Sequence, residues 1–226
     1  MPPITPPKAY MSWSSGKDAA FALYEARRLG LADIVGVLTT TNEAFDRVAM
    51  HGVRRRVLQA QVTALGLPVL EVPLPWPCSN EEYEARMIAA TAAIRAQGVE
   101  HMVFGDLFLE DIRAYREERL AAAGMTPIFP LWGRDTAALA RDMIASGLVA
   151  HLACVDPKQL DPSFAGRRFD AALLADLPAG VDPCGENGEF HTVVSAGPMF
   201  AAPLALAPGD VVTRDGFTYA DFDLAA

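Results

Sequence analysis

Short apolar runs alternate with helically spaced stretches through the first half of the chain. Ala9–Trp13 is a short apolar run ending in small polar residues. In Lys17–Leu29, Ala19, Ala20, Ala22, Leu23, Ala26 and Leu29 recur at about 3.6 residues, which predicts a helix. Asp33–Thr40 is β-rich and apolar on both faces, as a buried parallel strand should be. Val53–Leu65 reads as a helix stopped by Gly66-Leu67-Pro68, and Val69–Val72 as a third strand. Ser79 with Glu82 gives a capping-box signal for a helix running to about Gln97 and ended by Gly98. His101–Phe104 is a fourth strand, Ile112–Ala123 a helix ended by Gly124, and Thr126–Phe129 a fifth strand.

After about residue 130 the texture changes. Asp135–Ser146 reads as a helix, Val149–Val155 as a strand and Phe169–Leu177 as a short helix. A Gly- and Pro-punctuated tail then leans towards strand at Glu189–Ser195, Val211–Arg214 and Phe217–Phe222. The expectation is an α/β protein: residues 1–130 form a doubly wound parallel sheet, and 131–226 a smaller α+β domain packed on it. Ligands of such sheets bind at the carboxyl ends of the strands, where strand order reverses. That directs attention to the loops at 13–18, 40–53, 73–79 and 105–110.

Composition narrows the classes. With 226 residues, 51% of them hydrophobic and 21% charged, the chain can bury a core without staples. Its net charge of −9 argues against nucleic acid or an anionic membrane as a general partner, but leaves room for a local phosphate site. No apolar stretch approaches the roughly 20 residues of a membrane span. The N-terminal MPPITPPKAY has neither the charged nor the apolar region of a signal peptide. Cys78, Cys154 and Cys184 are odd in number and widely spaced, which predicts neither disulfide framework nor Cys-built zinc site. A soluble cytoplasmic protein is expected, with a homodimer as the default assembly.

Two segments carry candidate chemistry. Ser14-Ser15-Gly16-Lys17-Asp18 joins the first strand to the first helix. Small residues let backbone approach an anion, free N–H groups at the helix start attract it, and Lys17 adds a compact charge. Asp18 is the candidate Mg²⁺ ligand. The loop fits neither the Walker A pattern nor GxGxxG. The second segment, Cys184-Gly185-Glu186-Asn187-Gly188-Glu189-Phe190-His191-Thr192, sets two acids in a permissive loop before a strand. Paired carboxylates there can bind a cation, orient an amine, act as a base, or merely decorate a solvated hairpin. Gly105-Asp106 ends the fourth strand; Asp106 is either a ligand contact or the N-cap of the next helix.

Ser14–Ala19 resembles the PP-loop (SGGxDS) of N-type ATP pyrophosphatases, with Ser15 in place of the first of two glycines and Ala19 in place of the final Ser. Together with the GENGEFHT segment it resembles the diphthine–ammonia ligase family. His51-Gly52, Gly105-Asp106, Pro130-Leu131-Trp132 and Val155-Asp156-Pro157-Lys158 extend the likeness over nearly the whole chain.

The resemblance implies a HUP-type domain followed by a smaller one, and the cosubstrates ATP, Mg²⁺ and ammonia. It places ATP on Ser12, Ser14, Ser15, Gly16, Lys17, Asp18, His51, Gly105 and Asp106. It gives Lys17, Asp18, Glu186 and Glu189 the catalytic roles. It assigns substrate binding to Arg113, Gly185, Glu186, Gly188, Glu189, His191 and Thr192. From the residues alone, His51 and Lys158 also read as structural, and Arg113 as part of a solvated helix face.

The implied reaction adenylates a small-molecule or protein-borne carboxylate and amidates it with ammonia. Only three lysines stand among 19 basic residues, and with abundant Ala this is the usage of a GC-rich bacterial genome. Bacteria are not expected to make diphthamide, so a different acceptor is expected. Two other readings stay open: an adenylating RNA-modification enzyme, and a non-catalytic ATP- or AMP-binding sensor.

Overall fold

The computed structural model describes residues 5–225; Met1–Ile4 of the Pro-rich tail and Ala226 lie outside the described residues. Five parallel strands run in the order β4-β2-β1-β5-β6: β1 Lys8–Ser12, β2 Asp33–Asn42, β4 Val69–Leu74, β5 His101–Val103 and β6 Thr126–Ile128. Strand order reverses between β1 and β5, the HUP-type doubly wound arrangement that the sequence predicts. Strand β3, Arg47–Val48, was not foreseen; it returns antiparallel against Thr41 and Asn42 at the carboxyl end of β2. Two residues carry no periodicity from which to read it.

Helix α1 (Lys17–Arg28) buries Ala19, Ala20, Phe21, Ala22, Leu23 and Ala26. The other helices are α2 Arg55–Leu65, α3 Asn80–Arg95, α4 Glu110–Ala122, α5 Thr136–Ala145 and α6 Ala171–Asp176. The capping box of α3 is half formed. Ser79 Oγ accepts from Glu82 N at 3.1 Å, while the Glu82 carboxylate takes Arg86 at 2.7 Å and does not reach back. Helix α6 is shorter than its apolar pattern because Asp170 caps it, Oδ1 accepting from Leu173 N at 2.9 Å. Val53 is not helical; its carbonyl accepts from Val48 N, so α2 starts at Arg55.

The second sheet is antiparallel, in the order β8-β7-β10-β9: β7 Val149–Val155, β8 Phe190–Ala196, β9 Leu206–Arg214 and β10 Phe217–Leu224. The two sheets share one apolar cluster that runs from β1, α1 and α2 into Val155, Phe169, Phe190, Val193 and Val194. Within it lies fully buried Gln61. Its Oε1 accepts from Trp13 Nε1 at 3.1 Å, and its Nε2 donates to Val194 O at 2.7 Å and Ser15 O at 3.2 Å. One side chain thus ties the end of β1 to β8. The three cysteines are free, and no described helix is long and apolar enough to cross a membrane.

Candidate active site

The loop after β1 lies at the reversal of strand order. Trp13 fixes its entry, its N–H donating to Leu38 O at 2.7 Å and its carbonyl accepting from Thr39 Oγ1 at 2.9 Å. Ser12 and Ser14 flank it half-buried. Ser15 takes a left-handed conformation, φ 70°, and is fully buried. Its hydroxyl has no partner among the described residues. Strand β8 supports the loop: Val194 N donates to Ser15 O at 2.9 Å, and Lys17 N to Thr192 Oγ1 at 3.0 Å. The N–H groups of Ser14, Ser15 and Gly16 form no hydrogen bond to any described residue. Free N–H groups and an orphaned hydroxyl at the start of a 12-residue helix make a cradle that suits phosphate.

The Lys17 side chain does not enter that cradle. Sequence placed its ammonium on phosphate; the structure turns it inward, only 1% exposed. Nζ donates to both Asp18 oxygens, at 2.8 and 2.9 Å, and to the Cys184 carbonyl. The Phe169 and Phe190 rings lie 5.5 and 5.3 Å away. Burial lowers its pKa, but Asp18 and the neighbouring Glu186 more than offset that, and the ammonium stays charged. Lys17 therefore binds the segment at 184–189 to α1.

In that segment Glu186 Oε1 accepts from Leu107 N at 2.7 Å, which joins it to the loop after β5. Burial, assisted by the negative charges of Asp18 and Asp106, pushes Glu186 up to about 7, against the pull of Leu107 N–H and Lys17. Glu189 is 2% exposed. Its Oε1 accepts from Asp182 N at 2.9 Å and Asn187 Nδ2 at 3.1 Å, while Oε2 has no partner among the described residues. Asp156 N donates to Glu189 O at 2.9 Å, and the side chain of Gln159 spans Asp156 and Asn187, so the 155–159 segment buttresses the loop. Gly185 and Gly188 carry its two positive φ angles, 70° and 85°. Lys158 stands exposed on the buttress.

His51 and His191 pack together, ring centroids 4.8 Å apart and planes tilted by 39°. His51 Nδ1 donates to Thr192 O at 2.8 Å. The ring covers Gly16, where a Cβ would lie 2.5 Å from His51 Cε1. Burial first, then the nearby Lys17 charge, lowers His51 to about 4; burial and the same neighbours lower His191 to about 3. Both rings are neutral at pH 7. Beside His191 opens a cleft of about 220 Å³ whose walls include Phe45, Trp76, Arg214 and Tyr219.

The remaining candidates sit differently from the sequence expectation. Gly105 is needed because α1 crosses it: a Cβ would lie 2.7–2.9 Å from the Asp18 and Ala19 backbone. Its close approach is to the helix. Asp106 caps no helix, α4 being preceded by Leu109; it pairs with Arg116 at 2.7 Å. Arg113 pairs with Glu117 at 2.7 Å and lies 4.7 and 5.1 Å from the Trp132 and Phe129 rings.

For Mg²⁺ the residues do not form a resident site. Among the described residues no three His, Cys, Asp or Glu side chains are grouped to hold a metal ion. Asp18, the expected ligand, gives both oxygens to Lys17.

Sequence reasoning missed Gln61, Asp182 and the cluster in which Arg47 and Arg54 bind Asp221 of β10. A Gln on the apolar face of α2, beside Val57, Leu58, Val62 and Leu65, was the available signal for the first; the others become partners only through tertiary structure.

Comparison with known proteins agrees with this layout. The diphthamide synthase N-terminal domain family matches residues 7–127, and the diphthamide synthase C-terminal domain family matches 135–214. A protein of Danio rerio named diphthine–ammonia ligase is 24% identical over 228 residues, covering 92% of this chain and 89% of that protein. Proteins of the same name from Bos taurus and Homo sapiens are 26% and 28% identical, over 70% and 63% of this chain and 61% and 55% of theirs. The chain belongs to the diphthamide synthase family.

Proposed function

We propose that the protein is an ATP-dependent ligase that converts a carboxylate to an amide with ammonia, forming AMP and pyrophosphate. The observation that carries this reading is that Lys17 ties the segment bearing Glu186 and Glu189 to the helix that begins at the anion cradle. Pure nucleotide binding has no use for two such carboxylates. The relatives' shared name points to the same chemistry.

The polyphosphate of ATP, a substrate here, lies on the N–H groups of residues 14–16 with Ser12 and Ser14 alongside. The base enters the cleft by Phe45 and Trp76. An acceptor carboxylate oxygen attacks the α-phosphorus, and pyrophosphate leaves with the bonding electrons. Ammonia nitrogen then attacks the acyl carbon and AMP leaves with its oxygen. Glu186, poised near neutrality, takes the surplus proton from the ammonium. The unpartnered Glu189 Oε2 accepts a hydrogen bond from the incoming nitrogen. Asp18, Gly185, Gly188, His191 and Thr192 shape this space. Magnesium enters only as a companion of the nucleotide.

The test is product analysis with ATP, ammonium and a set of carboxylates. AMP and pyrophosphate should require both cosubstrates, and Glu189→Gln should lower kcat by about 10²-fold or more with little change in ATP affinity. Tight ATP binding with no AMP under any condition would favour a sensor, and AMP release dependent on RNA a nucleoside acceptor.

A further inference from the structure

Helices α3 and α4 pack on the same face of the parallel sheet but stand apart. Helix α3 buries Ala90, Thr91 and Ile94, and α4 buries Leu120 alone. Between them lies a cavity of about 440 Å³, in the size range of small-molecule sites. Its floor and walls are apolar: Met87, Met102, Phe104 and Leu120. Ile88 and Tyr115 stand on its lips, 66% and 39% exposed. Along α3 the lining repeats from Tyr83 to Arg95, about 18 Å at 1.5 Å per residue.

The charged lining is one-sided. Arg95, Arg116 and Arg119 face a single acid, Glu84, in a chain whose net charge is −9. Arg95 and Arg119 remain 45% and 48% exposed, each with one carboxylate in reach, at 3.8 and 2.6 Å. A guanidinium has five donors, so both keep capacity for another anion. The apolar surface is concave and enclosed by the helices, so its occupant must fit between them.

We propose that this groove is a binding site for an amphipathic carboxylate, its apolar body on Met87, Met102, Phe104 and Leu120 and its head group at Arg95 and Arg119. The site is separate from the anion cradle, and the proposal does not depend on the ligase reading.

The test is calorimetric titration of the full chain, without ATP, using decanoate as probe and hexanoate and decanol as controls. Decanoate should bind one to one. Affinity should fall roughly fourfold per methylene removed, and decanol should bind at least tenfold more weakly. Arg119→Gln should weaken decanoate by about tenfold. Ala92→Trp, which puts an indole into the groove from an exposed helical position, should abolish binding while the thermal melt is retained. Absence of saturable decanoate binding, equal affinity for decanol, or full affinity in a folded Ala92→Trp would each overturn the proposal. So would a concentration-dependent dimer that excludes decanoate, since the groove would then belong to a second copy.

Discussion

Ser15 occupies a left-handed conformation, φ 70°, that glycine adopts without penalty, and hides a hydroxyl with no partner. Both features weigh against the fold, so Ser15→Gly should stabilise the protein by about 1 kcal/mol in urea unfolding. Lower stability would mean that the hydroxyl has an unseen partner. Glu186 presents a separate test. A base acts in its ionised form, and burial holds this carboxyl near 7, so kcat should rise with pH through about 7 and level off above it. Glu186→Gln should remove the rising limb. A limb that survives the substitution would assign the titration to another group. The Lys17 side chain lies elsewhere than its place in the sequence suggests. Its place after β1 points to phosphate, but its ammonium is taken by Asp18 and the Cys184 carbonyl. Nothing within five residues in sequence betrays that the second acceptor is 167 positions away.

At the level of elements, the strands and helices of the parallel sheet were legible because each carries an apolar period, a cap or a stop signal. Gly66 and Gly98 end helices, and Asp33–Thr40 is apolar on both faces. Strand β3 and the extension of β9 back to Leu206 were not, because a two-residue return and an almost wholly exposed edge strand leave no apolar pattern. Of the candidate site, the two motif loops were legible, but the bonds joining them were not. The packed His51–His191 pair makes that junction sensitive to acid. Both rings are held neutral, at about 4 and about 3, below the ordinary 6.5. An unfolded chain protonates first as pH falls below about 6.5, so stability present at pH 7 declines as pH drops through about 4. The urea midpoint should fall between pH 7 and 4.5, and less steeply in His191→Gln. An unchanged slope would relieve the pair of this role.

The whole molecule is joined by buried polar ties as well as by its shared apolar cluster. We propose that residues 1–130 and 131–226 are structural units that do not fold apart. Gln61 bridges β1 and β8, and Asp221 holds Arg47 and Arg54 from β10. Gln61→Leu strands the Trp13 indole N–H and two carbonyls in the core and should cost about 2–3 kcal/mol in denaturant unfolding. Asp221→Asn should cost about 1–2 kcal/mol, the carboxylate being 17% exposed. The 1–130 fragment alone should give no cooperative transition; a sharp one would show that the first sheet needs neither tie.

In the proposed reaction the two motif loops serve one chemical step: an acceptor carboxylate attacks the α-phosphorus before ammonia arrives. The most direct measurement labels that carboxylate with ¹⁸O, using whichever acceptor elicits turnover with ATP and ammonium. One ¹⁸O is expected in the AMP and none in the pyrophosphate. Label in inorganic phosphate with ADP as coproduct, or AMP carrying no label, would contradict it.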